Sequence, residues 1–348
     1  LNPWSVGSWL YREQAHTLAD KGFIVLAYNL RGWVGSSGTV SNGGPQDVAD
    51  VSHVIDWISQ NPLVDPNRIG IGGLSLGAGV ALVATAYEPR IKAVAAMSSW
   101  TNFYTPIYGN NTKRVYWDGL LWFGSIVGTG SPEAAKMKET YEAIRNNDWA
   151  KIHDYTDIRS PIFLFDRFAA HKPAILLSQN MSDILFPVTD VWHFFDHLQT
   201  PKKMDLQPGI HATAEIKDMF TPGKDKVWDD AIEWFERWLG SNPPDHFQES
   251  SEVQINLDDK SVYEAATTAG LIKDTHRYYL NSSRNERFGE LTSEAPATGD
   301  HRIKSGKDSG IVSGLPVVGP LLNQVQIFRP KIKSKNINTD QAAIFELT

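Results

Sequence analysis

The 348-residue chain has no cysteine. Disulfides and thiolate chemistry are therefore excluded, while the redox compartment stays open. It also lacks an apolar run long enough for a membrane helix: the nearest, Leu76 to Met97, is broken by Glu88, Arg90 and Lys92. Basic residues are in deficit, with 33 Lys and Arg against 40 Asp and Glu and a net charge of −7, which weighs against a nucleic-acid surface. No internal repeat and no signal-peptide pattern is visible. The opening at Leu1 reads as the last residues of a strand, so the expectation is a chain cut from a longer one. Tryptophan is absent from the last hundred or so residues, because all twelve lie between Trp4 and Trp238. The turn-rich stretch Gly240-Ser241-Asn242-Pro243-Pro244-Asp245 separates the two regimes. We place a boundary there, with one domain over 1–245 and a second over 246–348.

What is present centres on Ile69-Gly70-Ile71-Gly72-Gly73-Leu74-Ser75-Leu76-Gly77-Ala78-Gly79. Gly73-Leu74-Ser75-Leu76-Gly77 fits G-x-S-x-G, the nucleophile elbow, in which a serine sits on a strained turn between strand and helix. Glycines on either side let two backbones pass close together. The helix behind the serine favours an oxyanion in front of it through its dipole and free N–H groups. The pentapeptide alone is common; a buried-strand pattern before it and a helical pattern after it raise its specificity.

Around this elbow the chain alternates. Trp9–Lys21 reads as a helix closed by Gly22, and Phe23–Tyr28 as an apolar strand of a buried parallel sheet. The glycine-rich Leu30–Gly38 has neither the G-x-G-x-x-G spacing nor a phosphate-loop lysine, so it reads as a connector. Gln46–Asn61 is helical, and Ile91–Met97 is the next strand. From about 99 to 160 the alternation fails in favour of aromatics, which reads as a helical cap. Strands follow at Pro173–Ser178 and Lys203–Leu206, with helices at Pro187–Leu198 and Asp225–Leu239. This pattern argues an α/β fold with a mostly parallel sheet. Beyond the linker, Val253–Leu257, Arg277–Leu280, Asn323–Phe328 and Ala342–Leu347 read as strands of a β-rich sandwich.

A serine nucleophile needs a base in reach and an acid to orient that base, and in this fold the order is Ser, then Asp or Glu, then His. Of ten histidines, His211 stands in a loop after the last strand. His171 precedes the strand that should carry the acid. Asp183, in a loop at a strand end, is the candidate acid, and Asp166 its rival. His193 and His197 share a helix face, but no H-E-x-x-H glutamate and no third ligand accompany them, so a solvated face is expected. Asn110-Asn111-Thr112 and Asn281-Ser282-Ser283 match the glycosylation sequon, a pattern too frequent to use.

The elbow, the acid loop Ser178-Gln179-Asn180-Met181-Ser182-Asp183 and the histidine loop Gly209-Ile210-His211-Ala212 resemble the X-prolyl dipeptidyl peptidase and cocaine esterase family of α/β hydrolases. Asn2-Pro3-Trp4, Leu26-Ala27-Tyr28-Asn29-Leu30-Arg31-Gly32 and Val54-Ile55-Asp56-Trp57-Ile58 add to the likeness, which spans about Leu1 to Leu239. The resemblance implies an α/β-hydrolase fold with a helical cap and a C-terminal jelly roll. It also implies a triad on Ser75, Asp183 and His211, and cleavage of esters, amides or X-Pro peptides without cofactor. Family members carry more sheet before the Pro-aromatic segment, a longer jelly roll, and often tyrosine where this chain has Trp4.

The expected oxyanion hole combines the Leu76 backbone N–H with a donor from the Trp4 region, either the indole or a nearby backbone N–H. The expected partner is a small-molecule ester, amide or short peptide, with no nucleic acid and no membrane span. The alternative from another class is a non-catalytic binding protein on a hydrolase scaffold.

Overall fold

The computed structural model describes residues 1–4, 6–109, 113–114, 119, 122, 132–183, 185–220, 226–241, 251–257, 259–281, 289–295 and 345–346. The chain forms two compact units, Leu1–Leu271 and Ile272–Thr348.

In the first unit a 3-10 turn, Ser8–Tyr11, leads into α1 (Arg12–Asp20), and α2 spans Pro45–Ile58. Strand β1 (Ile69–Leu74), helix α3 (Leu76–Tyr87) and strand β2 (Ile91–Met97) follow. Among the described residues the cap region holds α4 (Tyr104–Tyr108), α5 (Pro132–Asn146) and α6 (Trp149–Thr156). After α7 (Phe165–His171) come β3 (Ala174–Asn180), α8 (Val188–His197), β4 (Lys202–Gln207), α9 (Thr213–Phe220) and α10 (Val227–Leu239). Strands β5 (Val253–Asn256) and β6 (Val262–Ala265) complete a six-stranded sheet of order β1-β2-β3-β4-β5-β6. Neighbours are parallel as far as β5, and β6 is antiparallel.

The two-residue period of the strands sorts side chains between two apolar layers. Val94, Ala96, Ile175 and Leu177 join α2 (Val51, Ile55) and α8 (Phe194) on one face. Ala93, Ala95, Ala174 and Leu176 join α10 (Ala231, Trp234) on the other. Both faces are covered, which explains why the strands read as continuous apolar runs rather than alternating ones. Glycine sets one helix distance: a Cβ on Gly70 would fall 2.5 Å from Leu239 Cδ1 and 2.8 Å from the Phe235 ring, so only glycine lets α10 lie this close to β1.

Three sequence expectations need adjustment. Phe23–Tyr28 is extended but unpaired; Ile24, Val25 and Leu26 are 45%, 38% and 38% exposed. The segment faces the open edge of β1 across a cavity of about 600 Å³, with no strand between them among the described residues. Second, the helix expected over Trp9–Lys21 begins as the 3-10 turn Ser8–Tyr11 and becomes α-helical only from Arg12 to Asp20. Third, the sheet continues past the linker. Val253 is fully buried opposite Met204, so β5 and β6 belong with the hydrolase-type sheet, and the compact units divide after Leu271 rather than after 245.

The second unit holds β7 (Tyr279–Asn281) antiparallel to β8 (Gly289–Thr292), with β9 (Phe345–Glu346) parallel to β8. The expected strand Asn323–Phe328 and most of the expected jelly roll lie outside the described residues, as does the sequon at Asn110.

Helix α3 is buried along nearly its whole length. Full burial of a side chain such as Leu82 contributes about 1.5–3 kcal/mol. Gly79 is what admits Trp100: a Cβ there would stand 2.2 Å from the indole ring. That ring is fixed, since it is 2% exposed and its Nε1–H donates to Arg159 O at 2.7 Å. Alanine for glycine in a helix interior ordinarily gains about 0.5–1 kcal/mol, whereas overpacking a core costs about 1–3 kcal/mol. Gly79→Ala is therefore expected to lower stability by about 1–3 kcal/mol in urea denaturation. A midpoint at or above wild type would show that Trp100 gives way freely.

Candidate active site

The site lies where β1, β3 and β4 end. Ser75 has φ 57° and ψ −115°, a left-handed conformation that costs a non-glycine residue of order 1–3 kcal/mol and persists only under strong local constraint. The constraint is visible. Ser75 N–H donates to Met97 O at 2.9 Å, and Gly79 N–H begins the helical ladder by donating to Ser75 O at 3.0 Å. A Cβ on Gly77 would stand 2.1 Å from Leu1 O, and one on Gly73 would stand 2.7 Å from Gly77 C. The Leu1–Asn2 backbone therefore runs directly against the first turn of α3. Leu76 N–H lies at that helix N-terminus without an intrahelical acceptor.

His211 Nε2 is 2.8 Å from Ser75 Oγ, and His211 Nδ1 is 2.8 Å from Asp183 Oδ2. The Asp183 side chain is fully buried and that of His211 is 16% exposed. The remaining Asp183 contacts are donors: Leu185 N–H at 2.8 Å and Phe186 N–H at 3.0 Å to Oδ1, and Gln179 Nε2 at 3.0 Å to Oδ2. A carboxylate surrounded by donors accepts from Nδ1–H, which leaves Nε2 with a lone pair to accept the Ser75 hydroxyl proton. Phe186 meets the imidazole edge-on, with ring centroids 5.2 Å apart. The two loops are tied to each other, since Met181 N–H donates to Gln207 O and Ser182 N–H to Gly209 O, each at 2.8 Å.

The structure thus brings Ser75, His211 and Asp183 into one hydrogen-bonded chain. It leaves the rivals apart, with Asp166 and His171 both on α7. His193 and His197 contact each other, their ring centroids 4.3 Å apart and His197 Nδ1 2.8 Å from His193 O. Trp4 is half-buried and tilts onto Trp33 at 4.7 Å. Beneath the histidine loop lies a polar group that sequence reasoning missed: Ser98, Asn180 and Glu215, all buried. Gln179 was missed as well, although its place four residues before Asp183 on the same strand end was the available signal.

A mostly parallel sheet with helices on both faces and a strained serine between strand and helix defines an α/β hydrolase. The pattern described as X-Pro dipeptidyl-peptidase (S15 family) matches residues 2–213, and the chain belongs to that family. On that membership it is an enzyme of the hydrolase class. The chain is 24% identical over 216 residues to the polyketide transferase grgF of Penicillium sp, a match covering 55% of this chain and 71% of that protein. It is 37% identical over 92 residues to the thiohydrolase apmlB of Arthrinium phaeospermum, covering 26% of this chain and 30% of that one. The solved 2,6-dihydroxy-pseudo-oxynicotine hydrolase shares the fold at TM-score 0.50 and 14% identity, over 70% of this chain and 61% of its own.

Gln179→Leu removes a donor from the buried Asp183 carboxylate. Leaving one buried polar group short of a partner costs about 1–3 kcal/mol, so a stability loss in that range is expected in urea denaturation. An unchanged midpoint would show that the two backbone N–H groups suffice.

Proposed function

We propose that the chain is a serine hydrolase that cleaves an ester, amide or X-Pro peptide bond through an acyl-enzyme. The observation that carries this reading is the pair of 2.8 Å contacts made by the two His211 nitrogens. In this reading Ser75 Oγ attacks the substrate carbonyl carbon while His211 Nε2 takes its proton. Asp183 holds the imidazole tautomer and stabilises the imidazolium. As the tetrahedral intermediate collapses, the bond to the leaving group breaks and Nε2 returns the proton to it. Water then attacks the acyl-enzyme, with the same histidine as base, and releases the acid and Ser75. Leu76 N–H supplies one oxyanion donor, and the Trp4 segment supplies the second.

Peptidase action on X-Pro substrates would need an acidic group for the substrate amine. Glu139 pairs with Lys151 at 3.0 Å with both side chains more than half exposed, and Glu142 is exposed. The Glu133 side chain lies outside the described residues. Neither Glu139 nor Glu142 is placed as an amine anchor. A second reading keeps the acyl-enzyme but loads it from a thioester. It is favoured by the names of the Penicillium transferase and the Arthrinium thiohydrolase, 24% and 37% identical over their matched stretches.

A panel of p-nitrophenyl esters, an acyl thioester, and Gly-Pro and Ala-Pro p-nitroanilides separates these substrates. Ser75→Ala is expected to abolish turnover of any of them and labelling by a fluorophosphonate probe without unfolding the protein. A variant retaining more than about a hundredth of the wild-type rate would remove Ser75 from the role of nucleophile. If wild-type protein neither labels nor turns over any substrate, the binding-protein alternative stands instead.

Trp4→Phe separates the two possible second donors. Loss of one oxyanion donor costs roughly 10²–10³ in kcat, while trimming a pocket wall acts mainly on KM. The Trp4 ring leans on Trp33, which suits a wall, so a kcat loss below about threefold on an activated ester is expected, and the donor is then backbone. A hundredfold loss would assign the donor to the indole.

A further inference from the structure

Glu215 is a carboxylate that the proposed chemistry leaves unused. It is fully buried four residues after His211, in the first turn of α9. Its Oε1 accepts Ser98 Oγ–H at 2.9 Å, and its Oε2 accepts Asn180 Nδ2–H at 2.7 Å. Ser98 and Asn180 stand at the C-terminal ends of β2 and β3, and both return a bond to the histidine loop. Ala212 N–H donates to Ser98 Oγ at 3.1 Å, and Ala214 N–H to Asn180 Oδ1 at 3.3 Å.

We propose that Glu215 is a positioning residue for His211, holding its loop through Ser98 and Asn180. The inference rests on the serine-hydrolase reading above.

Proton counting carries the argument. A serine hydroxyl has one proton and two acceptor sites. Because Glu215 takes the Ser98 proton, the Ser98 lone pairs are left to Ala212 N–H and to Asn180 Nδ2, which lies 2.9 Å away. That bond holds Ala212 at φ 63°, a left-handed conformation in the residue next to His211. Glutamine has nearly the same shape but cannot reproduce the pattern. With its oxygen toward Asn180, its amide adds a third donor to Ser98 and leaves the Ser98 proton without an acceptor. With its oxygen toward Ser98, its amide faces the Asn180 amide, donor against donor. Either way the Ala212 anchor weakens.

Burial pushes the Glu215 carboxyl above the usual range, and the bonds from Asn180, its own backbone N–H and Ser98 pull it back. The groups facing Glu215 from its neighbours are few. His211 comes from the loop and Tyr11 from the Ser8–Tyr11 turn; burial, with a smaller push from the Glu215 charge, keeps the Tyr11 phenol protonated. β2 and β3 present only the neutral Ser98 and Asn180. From α10 the Trp228 indole N–H donates to Glu215 O at 3.0 Å. Asp218, on the Glu215 helix, accepts Trp228 N–H, and Asp183 lies across the imidazole.

The test is Glu215→Gln in the full chain, assayed on the best p-nitrophenyl ester. We expect kcat to fall roughly ten- to a hundredfold, as loss of one buried hydrogen-bond partner gives when it falls on the reaction. KM should hold within about twofold, because no substrate contact is removed. A folded variant with wild-type kcat, losing only thermal stability, would overturn the proposal. Ser98→Ala, smaller by one oxygen, decides the matter if Glu215→Gln fails to fold. It removes the Ala212 anchor and leaves Glu215 in place, so kcat should fall with KM held, and full kcat would overturn the proposal. Fluorophosphonate labelling of wild-type Ser75 tests the parent reading separately: labelled protein with an indifferent Glu215 sinks this inference alone.

Discussion

The close passage of two backbones at the elbow constrains everything else in the site. Leu1 O stands where a side chain on Gly77 would begin, and the Gly77 carbonyl carbon crowds the place of one on Gly73. No residue with a Cβ fits either place without displacing main chain. Given that crowding, Ser75 turns left-handed, its hydroxyl leaves the sheet on the side of His211, and α3 starts immediately behind it. The same passage brings the Asn2–Trp4 segment beside the helix N-terminus. The proposed nucleophile and the proposed second oxyanion donor thus share one steric origin.

The strand ends supply the rest. β3 carries Gln179 and Asn180 side by side, one serving the acid loop and the other the histidine loop. Because neighbouring strand residues point to opposite faces, one short stretch supports both partners of the imidazole from two directions. The acid loop and the histidine loop are then stitched directly by backbone bonds from Met181 and Ser182. Burial makes these polar contacts consequential, since each would leave an unsatisfied group in a dry interior if broken.

Much of this was legible in the residues. The elbow announces itself because only glycine tolerates its geometry, and β2 and β3 show as apolar runs because both faces are covered. Asp183 and His211 followed from chain order and their loops. Other features depend on partners distant in sequence. Phe23–Tyr28 has the composition of a buried strand, but composition does not say what pairs with it. Glu215 carries no signal of its own in the sequence, because acidic residues near a helix start are common, and its partner Ser98 lies more than a hundred positions away. The linker drew attention by losing tryptophan, whereas the sheet ran on because Val253 finds Met204.

The open edge of β1 also has a mechanical meaning. Its Gly72 O accepts the Leu1 ammonium at 2.7 Å, and the rest of Ile69–Gly73 faces an apolar cleft; such an edge is a template for another extended segment. The same strand ends at Leu74, one residue before the strained serine. The Leu1–Asn2 backbone, bonded to Gly72 O and packed against Gly77, braces the strand on which Ser75 is mounted. The rigidity of the elbow is therefore a property shared between the turn itself and the far side of the strand that leads into it.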